Sequence, residues 1–148
     1  MKKFSMFKIL ILIFCFTATD QLSKYLVSKF DVDFSIMKGF FGFHEQINYG
    51  AAFSLPIPNI LLIIITVILI LVCIYFGVKN LDFTKFSVQI VASIFLAGAF
   101  GNLIDRILYG GVIDFIDICI YPVFNVADIY LTVSVFYILL FYGRIKRS

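Results

Sequence analysis

Three carboxylates stand where a carboxylate is expensive. Asp20 lies inside a long apolar stretch, Asp105 ends another, and Asp128 begins a third. An ionised side chain at membrane depth costs roughly 2.5–3.5 kcal/mol or more, so such a residue is a functional suspect by default. Asp114 sits in the segment that joins the last two stretches. Asp114 and Asp128 are candidates for an acid/base pair. Two carboxyls that face each other across a few ångströms cannot both ionise easily, so one keeps a proton while the other acts as base. Such a titration belongs to the pair, not to either residue. The base would take a proton from water, which attacks a peptide carbonyl. The protonated partner would polarise that carbonyl and later protonate the leaving amine. The two residues are fourteen positions apart, on different elements, so their spacing alone does not bring them together. The plainer reading makes Asp128 a helix N-cap and Asp114 a loop charge.

Asp20 and Lys24 stand at i and i+4 with the acid first, the favourable order for an ion pair on one helix face. Pairing lowers the cost of both charges, which marks them as structural or supporting. A Ser–Lys dyad of Lys24 with Ser28 is the sharper rival, but Asp20 already offers Lys24 a partner and would hold it protonated. Asn48 and Gly50 lie in Asn-Tyr-Gly-Ala-Ala-Phe-Ser, and Asn102, Asp105 and Arg106 in Gly-Asn-Leu-Ile-Asp-Arg. Asn125 precedes Asp128 by three, a spacing that lets both share a helical face. Amides and an arginine fork can hold an extended peptide or orient carboxylates. The bland alternatives are capping, loop hydrogen bonds, and an Arg106–Asp105 ion pair.

Other chemistries find little support. Cys15, Cys73 and Cys119 have no metal-ligand or framework spacing and read as buried thiols acting as small hydrophobes. His44 is the single histidine, and there is no HExxH pattern, so neither a metal nor another cofactor is expected. A Ser-His-Asp triad would have to use His44, and nothing marks a partner serine.

The elements that must position these residues are apolar spans. Of 148 residues 62% are hydrophobic and only 14% charged, against about 25% charged in an ordinary soluble domain. Mean hydropathy is +1.06. A spanning helix needs roughly 20 apolar residues. The sequence therefore predicts one integral-membrane domain over residues 1–148, with spans at 7–27, 60–78, 86–104 and 126–142 and connecting segments at 30–59 and 105–125. Leu-Ile-Phe-Cys at 12–15 superficially resembles a lipoprotein cleavage box. Phe14 fills the position that needs a small residue, so the first span is expected to stay uncleaved. Pro56 and Pro58 suit the start of the second span. Ala97, Gly98, Ala99 and Gly101 would let helices approach closely, or leave room for a substrate chain. Phe34, Phe40, Phe41 and Phe43 with Gly39, Gly42 and Gly50 predict short strands and turns resting at the membrane surface.

Charge orients the chain. Lys2, Lys3, Lys8, Lys79, Lys85, Arg144, Lys146 and Arg147 fall in the two tails and the middle loop, with Asp82 as the one acid there. The positive-inside rule puts these segments, and both termini, in the cytoplasm. The connecting segments that hold most of the acids then face outward. A small four-span proton-coupled transporter is the rival reading, but it needs a carboxyl near the bilayer midplane. The second and third spans have none in their interiors. A non-catalytic assembly factor is a third possibility.

Five motifs, in order, resemble those of bacterial lipoprotein signal peptidase (signal peptidase II): Asp-Gln-Leu-Ser-Lys (20–24), Asn-Tyr-Gly-Ala-Ala-Phe-Ser (48–54), Gly-Asn-Leu-Ile-Asp-Arg (101–106), Gly-Val-Ile-Asp-Phe (111–115) and Phe-Asn-Val-Ala-Asp (124–128). They cover the chain from first span to last. The resemblance implies an all-α membrane protein of four transmembrane helices with a small extracytoplasmic β-rich cradle. It implies an aspartic endopeptidase of the bacterial inner membrane, with its site at the outer face. The implied reaction removes the signal peptide from diacylglyceryl-modified prolipoproteins, on the N-terminal side of the lipidated cysteine. Asp114 and Asp128 match the catalytic aspartates. Asn48, Gly50, Asn102, Arg106 and Asn125 match residues that bind substrate or support the pair, and Asp20, Lys24 and Asp105 match supporting positions. The implied partners are prolipoproteins, membrane lipids and the inhibitor globomycin, and no nucleic acid.

Overall fold

A computed structural model describes residues 6–37, 40–50, 57–118 and 120–147. Lys2, Lys3, Gly39, Pro56, Cys119 and the 51–54 part of the Asn48 motif lie outside the described residues. Four helices, α1 (Met6–Phe30), α2 (Asn59–Asn80), α3 (Phe86–Tyr109) and α4 (Val126–Ile145), alternate in direction. Three strands, β1 (Asp33–Met37), β2 (Phe41–Asn48) and β3 (Val112–Asp117), are the other elements among the described residues. The helices are 20 to 25 residues long, and each is long and apolar enough to cross a bilayer. This is the expected architecture of four transmembrane helices with a small β-rich cradle.

The burial pattern reverses that of a soluble protein. Phe7, Phe14, Ile60, Leu71, Leu139 and Leu140 are exposed, whereas Asp20, Lys24, Asp105 and Asn125 are almost wholly buried. Hydrocarbon on the outside accepts the apolar side chains, while polar groups must find partners within the protein. Cys15 and Cys73 follow the same reversal: both are exposed, not buried as expected. Small apolar side chains on these helices face the lipid side as readily as the interior.

Helix α3 is the centre of the bundle and packs against α1, α2 and α4. Its small residues are consumed by that packing. A Cβ on Gly98 would sit 2.6 Å from the Ala127 carbonyl oxygen, and one on Gly101 would collide with the Asp20 carboxylate. They bring helices together and do not hold space for a substrate chain, which corrects that part of the expectation. Helix α3 also runs five residues beyond the expected span, so Asp105 and Arg106 lie in a helix and not in a loop. Asp105 does not end the helix because its charge is matched inside the protein. Gly110, in the left-handed conformation at φ 76°, ends it instead.

The strands form one antiparallel sheet in the order β1-β2-β3. Strand β3 lies in a segment for which the sequence predicted no regular structure. It pairs with β2 at Gln46–Asp114, Ile47–Ile113 and Asn48–Val112. Its other edge is covered by Phe124, whose carbonyl accepts from Phe115 and Ile116 and whose N–H donates to Ile116. That bridge holds the start of α4 beside β3. At the opposite end of the bundle, Leu81 pairs with Lys146. Asp82 N–H donates to the Ile145 carbonyl and Arg147 N–H to that of Asn80. The end of the chain is thus clasped to the α2–α3 turn.

Candidate active site

Helix α1 contributes Asp20 and Lys24. The Lys24 ammonium lies 2.9 Å from Asp20 and 2.7 Å from Asp105, all three 2% exposed or less. The remaining lone pairs are used too. Asp20 accepts from the Ala127 N–H at 2.9 Å, and Asp105 accepts from the Ile113 N–H at 3.3 Å. One ion-pair cluster therefore joins α1, α3, β3 and the first turn of α4. Gln21, whose role the sequence did not disclose, reinforces it by donating to Asp105 at 2.9 Å and to the Gly101 carbonyl at 3.2 Å. Its signal was available: an amide next to an acid inside an apolar run needs partners. Lys24 is fully engaged, and Ser28 donates to Glu45, so the Ser–Lys dyad has no geometry behind it.

The second layer of the cluster is built from amides. Asn102 accepts from Lys24 at 3.3 Å and donates to Asp128 at 2.8 Å. Asn125 donates to Asp114 at 2.6 Å and to the Asn102 side-chain oxygen at 3.1 Å. Asn48 donates to the other oxygen of Asp114 at 3.2 Å, and is itself oriented by the Gly50 N–H at 3.1 Å. The two carboxylates proposed as a pair are thereby linked through two side chains. Asn125 lies just outside α4 in extended conformation and forms a capping box with Asp128. The shared helical face expected from their spacing is replaced by this reciprocal bond. The plain reading of Asp128 as the N-cap is corrected: Asn125 is the N-cap, and Asp128 is its third-position partner.

Asp114 is 3% exposed. Burial, and then the neighbouring Asp128 charge, push its carboxyl up to about 6, against the pull of Asn48, Asn125 and Lys24. A carboxyl so placed holds a proton that an exposed aspartate would have lost. Arg106 does not pair with Asp105, which Lys24 occupies. It lies within the electrostatic reach of Asp128, Asp114 and Asp105. Its guanidinium makes a long bond of 3.4 Å to the Asn102 carbonyl, and its buried Nε has no partner. Asn59, also not anticipated, donates to the Arg106 carbonyl at 2.8 Å and ties the start of α2 to the site.

A Ser, a His and an Asp also meet on the hairpin. His44 Nδ1 contacts Asp33 and Nε2 lies 3.4 Å from Ser35 Oγ. Gly42 leaves space for the ring, since a Cβ there would lie 2.7 Å from Nε2. Asp33 is 72% exposed, and 3.4 Å is too long for an activated hydroxyl. The trio laces β1 to β2 and does not form a nucleophilic centre. Among the described residues no group of three metal-ligating side chains converges.

The sequence profile of the signal peptidase (SPase) II family matches residues 12–143. Lipoprotein signal peptidases of Staphylococcus aureus strains JH9 and Newman are each 36% identical to this chain, over 82% of it and 78% of their own length. Two solved structures described as bacterial membrane enzymes, determined in meso at 2.3 and 1.9 Å, are each 31% identical. The first covers 97% of this chain and 92% of its own with a TM-score of 0.82. The second covers 94% of both chains with a TM-score of 0.74. A multi-pass membrane protein whose buried polar cluster gathers residues from each of the five sequence motifs, and whose sequence and fold both match in this way, belongs to the signal peptidase II family.

Proposed function

We propose that this protein is an aspartic endopeptidase that removes the signal peptide from diacylglyceryl-modified prolipoproteins, with Asp114 and Asp128 as its catalytic pair. The reading is carried by one observation. Two carboxylates, one on a strand and one on a helix, are joined by a chain of two asparagine amides, Asn125 on Asp114 and Asn102 on Asp128, and one of them is held near pKa 6 by burial and by the other's charge.

The ionised member takes a proton from a water molecule. The hydroxide adds to the carbonyl carbon of the bond before the lipidated cysteine, while the protonated member donates to the carbonyl oxygen. The tetrahedral intermediate collapses as the C–N bond breaks, and the amine leaves with a proton returned from the pair. Arg106, with donors left over, suits a backbone carbonyl of the extended substrate. Asn48, Asn102 and Asn125 keep the carboxylates facing the bond. Helix-bound acids at the sheet end of the bundle suit a substrate whose acyl chains stay in hydrocarbon. With the basic tails and middle loop in the cytoplasm, that end faces outward from the inner membrane.

The test is cleavage of a diacylglyceryl-prolipoprotein peptide by purified protein. Asp114→Asn and Asp128→Asn are each expected to lower kcat by about a thousandfold or more, with the fold retained. Full processing by both variants would remove the aspartic mechanism. Globomycin is expected to inhibit the wild type. Proton-driven transport in proteoliposomes without cleavage would favour the transporter reading.

A further inference from the structure

Lys24 does more than neutralise two buried acids. An asparagine side chain can be turned either way, and its hydrogen bonds decide which end faces where. Asn102 has its oxygen between two donors, the Lys24 ammonium at 3.3 Å and the Asn125 amide at 3.1 Å. An ammonium has donors only. The Asn102 oxygen is therefore fixed toward Lys24, and its NH2 is forced toward Asp128, where it donates at 2.8 Å. Asn125 is fixed in the same sense: its oxygen caps the Asp128 N–H at 3.0 Å, so its NH2 points to Asp114. Lys24 itself cannot swing away, because Asp20 and Asp105 hold it at 2.9 and 2.7 Å.

We infer that Lys24 is a positioning residue that sets the donor direction of the amide chain, so that both carboxylates receive N–H groups and the shared proton stays on the substrate side of the pair. The inference rests on the aspartate-pair reading proposed above. With a neutral, non-donating residue at position 24, only the Asn125 amide still opposes a turn of Asn102 that brings its oxygen toward Asp128. Two facing oxygens require a proton between them, so the pair would hold its proton to higher pH and in the wrong place. The other charge facing both Asp128 and Asp114 is Arg106 on α3; Asp105 and Asp20 face Lys24.

Simple loss of the Lys24 charge would also raise the pH at which the pair titrates, so the test must hold charge constant. Lys24→Met/Asp105→Asn and Lys24→Gln/Asp105→Asn have the same charge. Only the glutamine retains a side-chain N–H to offer Asn102, from a stem one bond shorter. The readout is the pH profile of kcat/KM on a lipidated prolipoprotein peptide, with thermal unfolding in detergent as the measure of folding. The methionine variant is expected to show a profile moved up by about one pH unit or more and kcat reduced about tenfold or more, with KM nearly unchanged. The glutamine variant is expected to stay near the wild-type profile. Equal shifts in both variants, or no shift in either, would overturn the inference. If the double variants do not fold, Asn102→Leu, which leaves the charge unchanged, serves instead. It removes the N–H donated to Asp128 while Lys24 keeps Asp20 and Asp105. The same upward shift is expected, and an unchanged profile would overturn the inference. Asp114→Asn and Asp128→Asn are run alongside. If they stay active, the aspartate pair itself is wrong. If they are inactive while the Lys24 variants behave alike, only the role of Lys24 fails.

Discussion

At the scale of single residues, the chemistry is one of protons held out of their ordinary range. Asp114 at about 6 in the folded protein, against 3.8 for an unperturbed aspartate, binds a proton over a window in which the unfolded chain does not. An acid whose folded pKa is raised makes stability fall as pH rises through that window, and the loss is complete above about pH 6. The shift corresponds to about 3 kcal/mol. Asp114→Asn removes the linkage, so its stability relative to wild type should improve by about 3 kcal/mol between pH 3 and pH 7 and stay level above that. Detergent unfolding curves at several pH values measure this directly, whatever the fixed cost of the altered hydrogen bonds. The same proton should appear in catalysis, with kcat/KM falling as pH rises through about 6 in the free enzyme. These residues were legible in the sequence by type, because carboxylates and amides inside apolar runs need a reason. What could not be read was their wiring. That Lys24 divides itself between Asp20 and Asp105, and leaves Arg106 with a spare donor, depends on α1 meeting α3, which no local spacing encodes.

At the scale of elements, glycine position decides how near the polar groups can come. Gly101 lies against Asp20 and Ala127, whereas a Cβ on Gly77 or Gly143 would meet nothing within 4 Å. Gly101→Ala should push α1 from α3, weaken the bond from the Ala127 N–H to Asp20, and cost about 2–3 kcal/mol with a loss of activity of about tenfold or more. Gly77→Ala and Gly143→Ala should instead be neutral or stabilising by about 0.5–1 kcal/mol, with activity unchanged. Thermal unfolding and peptide cleavage on the three variants together separate crowding from helix propensity. Asn125→Ala should cost about 1–2 kcal/mol through the lost cap alone, and activity besides, because the same amide serves Asp114. The four helices were evident from the length of the apolar runs, and β1 and β2 from the Phe and Gly pattern. Strand β3 was not, since Val112–Asp117 carries two acids, although Gly110-Gly111 marks a turn just before it. It is a strand because β2 and Phe124 give its backbone partners. The far end of α3 was missed for a related reason, as Asp105 looks like a boundary until Lys24 is placed beside it.

At the scale of the whole molecule, hydrocarbon outside and charge inside mean that stability rests on a few polar joints more than on apolar burial. Lys24→Met alone leaves two carboxylates buried without a cation and should cost about 3–5 kcal/mol, read as a lower unfolding temperature in detergent. Asp105→Asn in the same chain should recover part of that loss, since one of the stranded charges is gone. The free cysteines show how far this inversion reaches. Cys15 and Cys73 look like interior residues in the sequence, yet they lie on the outer surface, because a membrane supplies the apolar environment from outside. The clasp between the α2–α3 turn and residues 145–147 bears on how the protein is handled. Arg147 donates its N–H to the Asn80 carbonyl and is not a loose tail, so a purification handle or fluorescent fusion joined close after it would lever against that contact. A flexible spacer of several residues would leave that joint closed, and a pull on the C-terminus in a force experiment would peel this ladder open before it unwound α4.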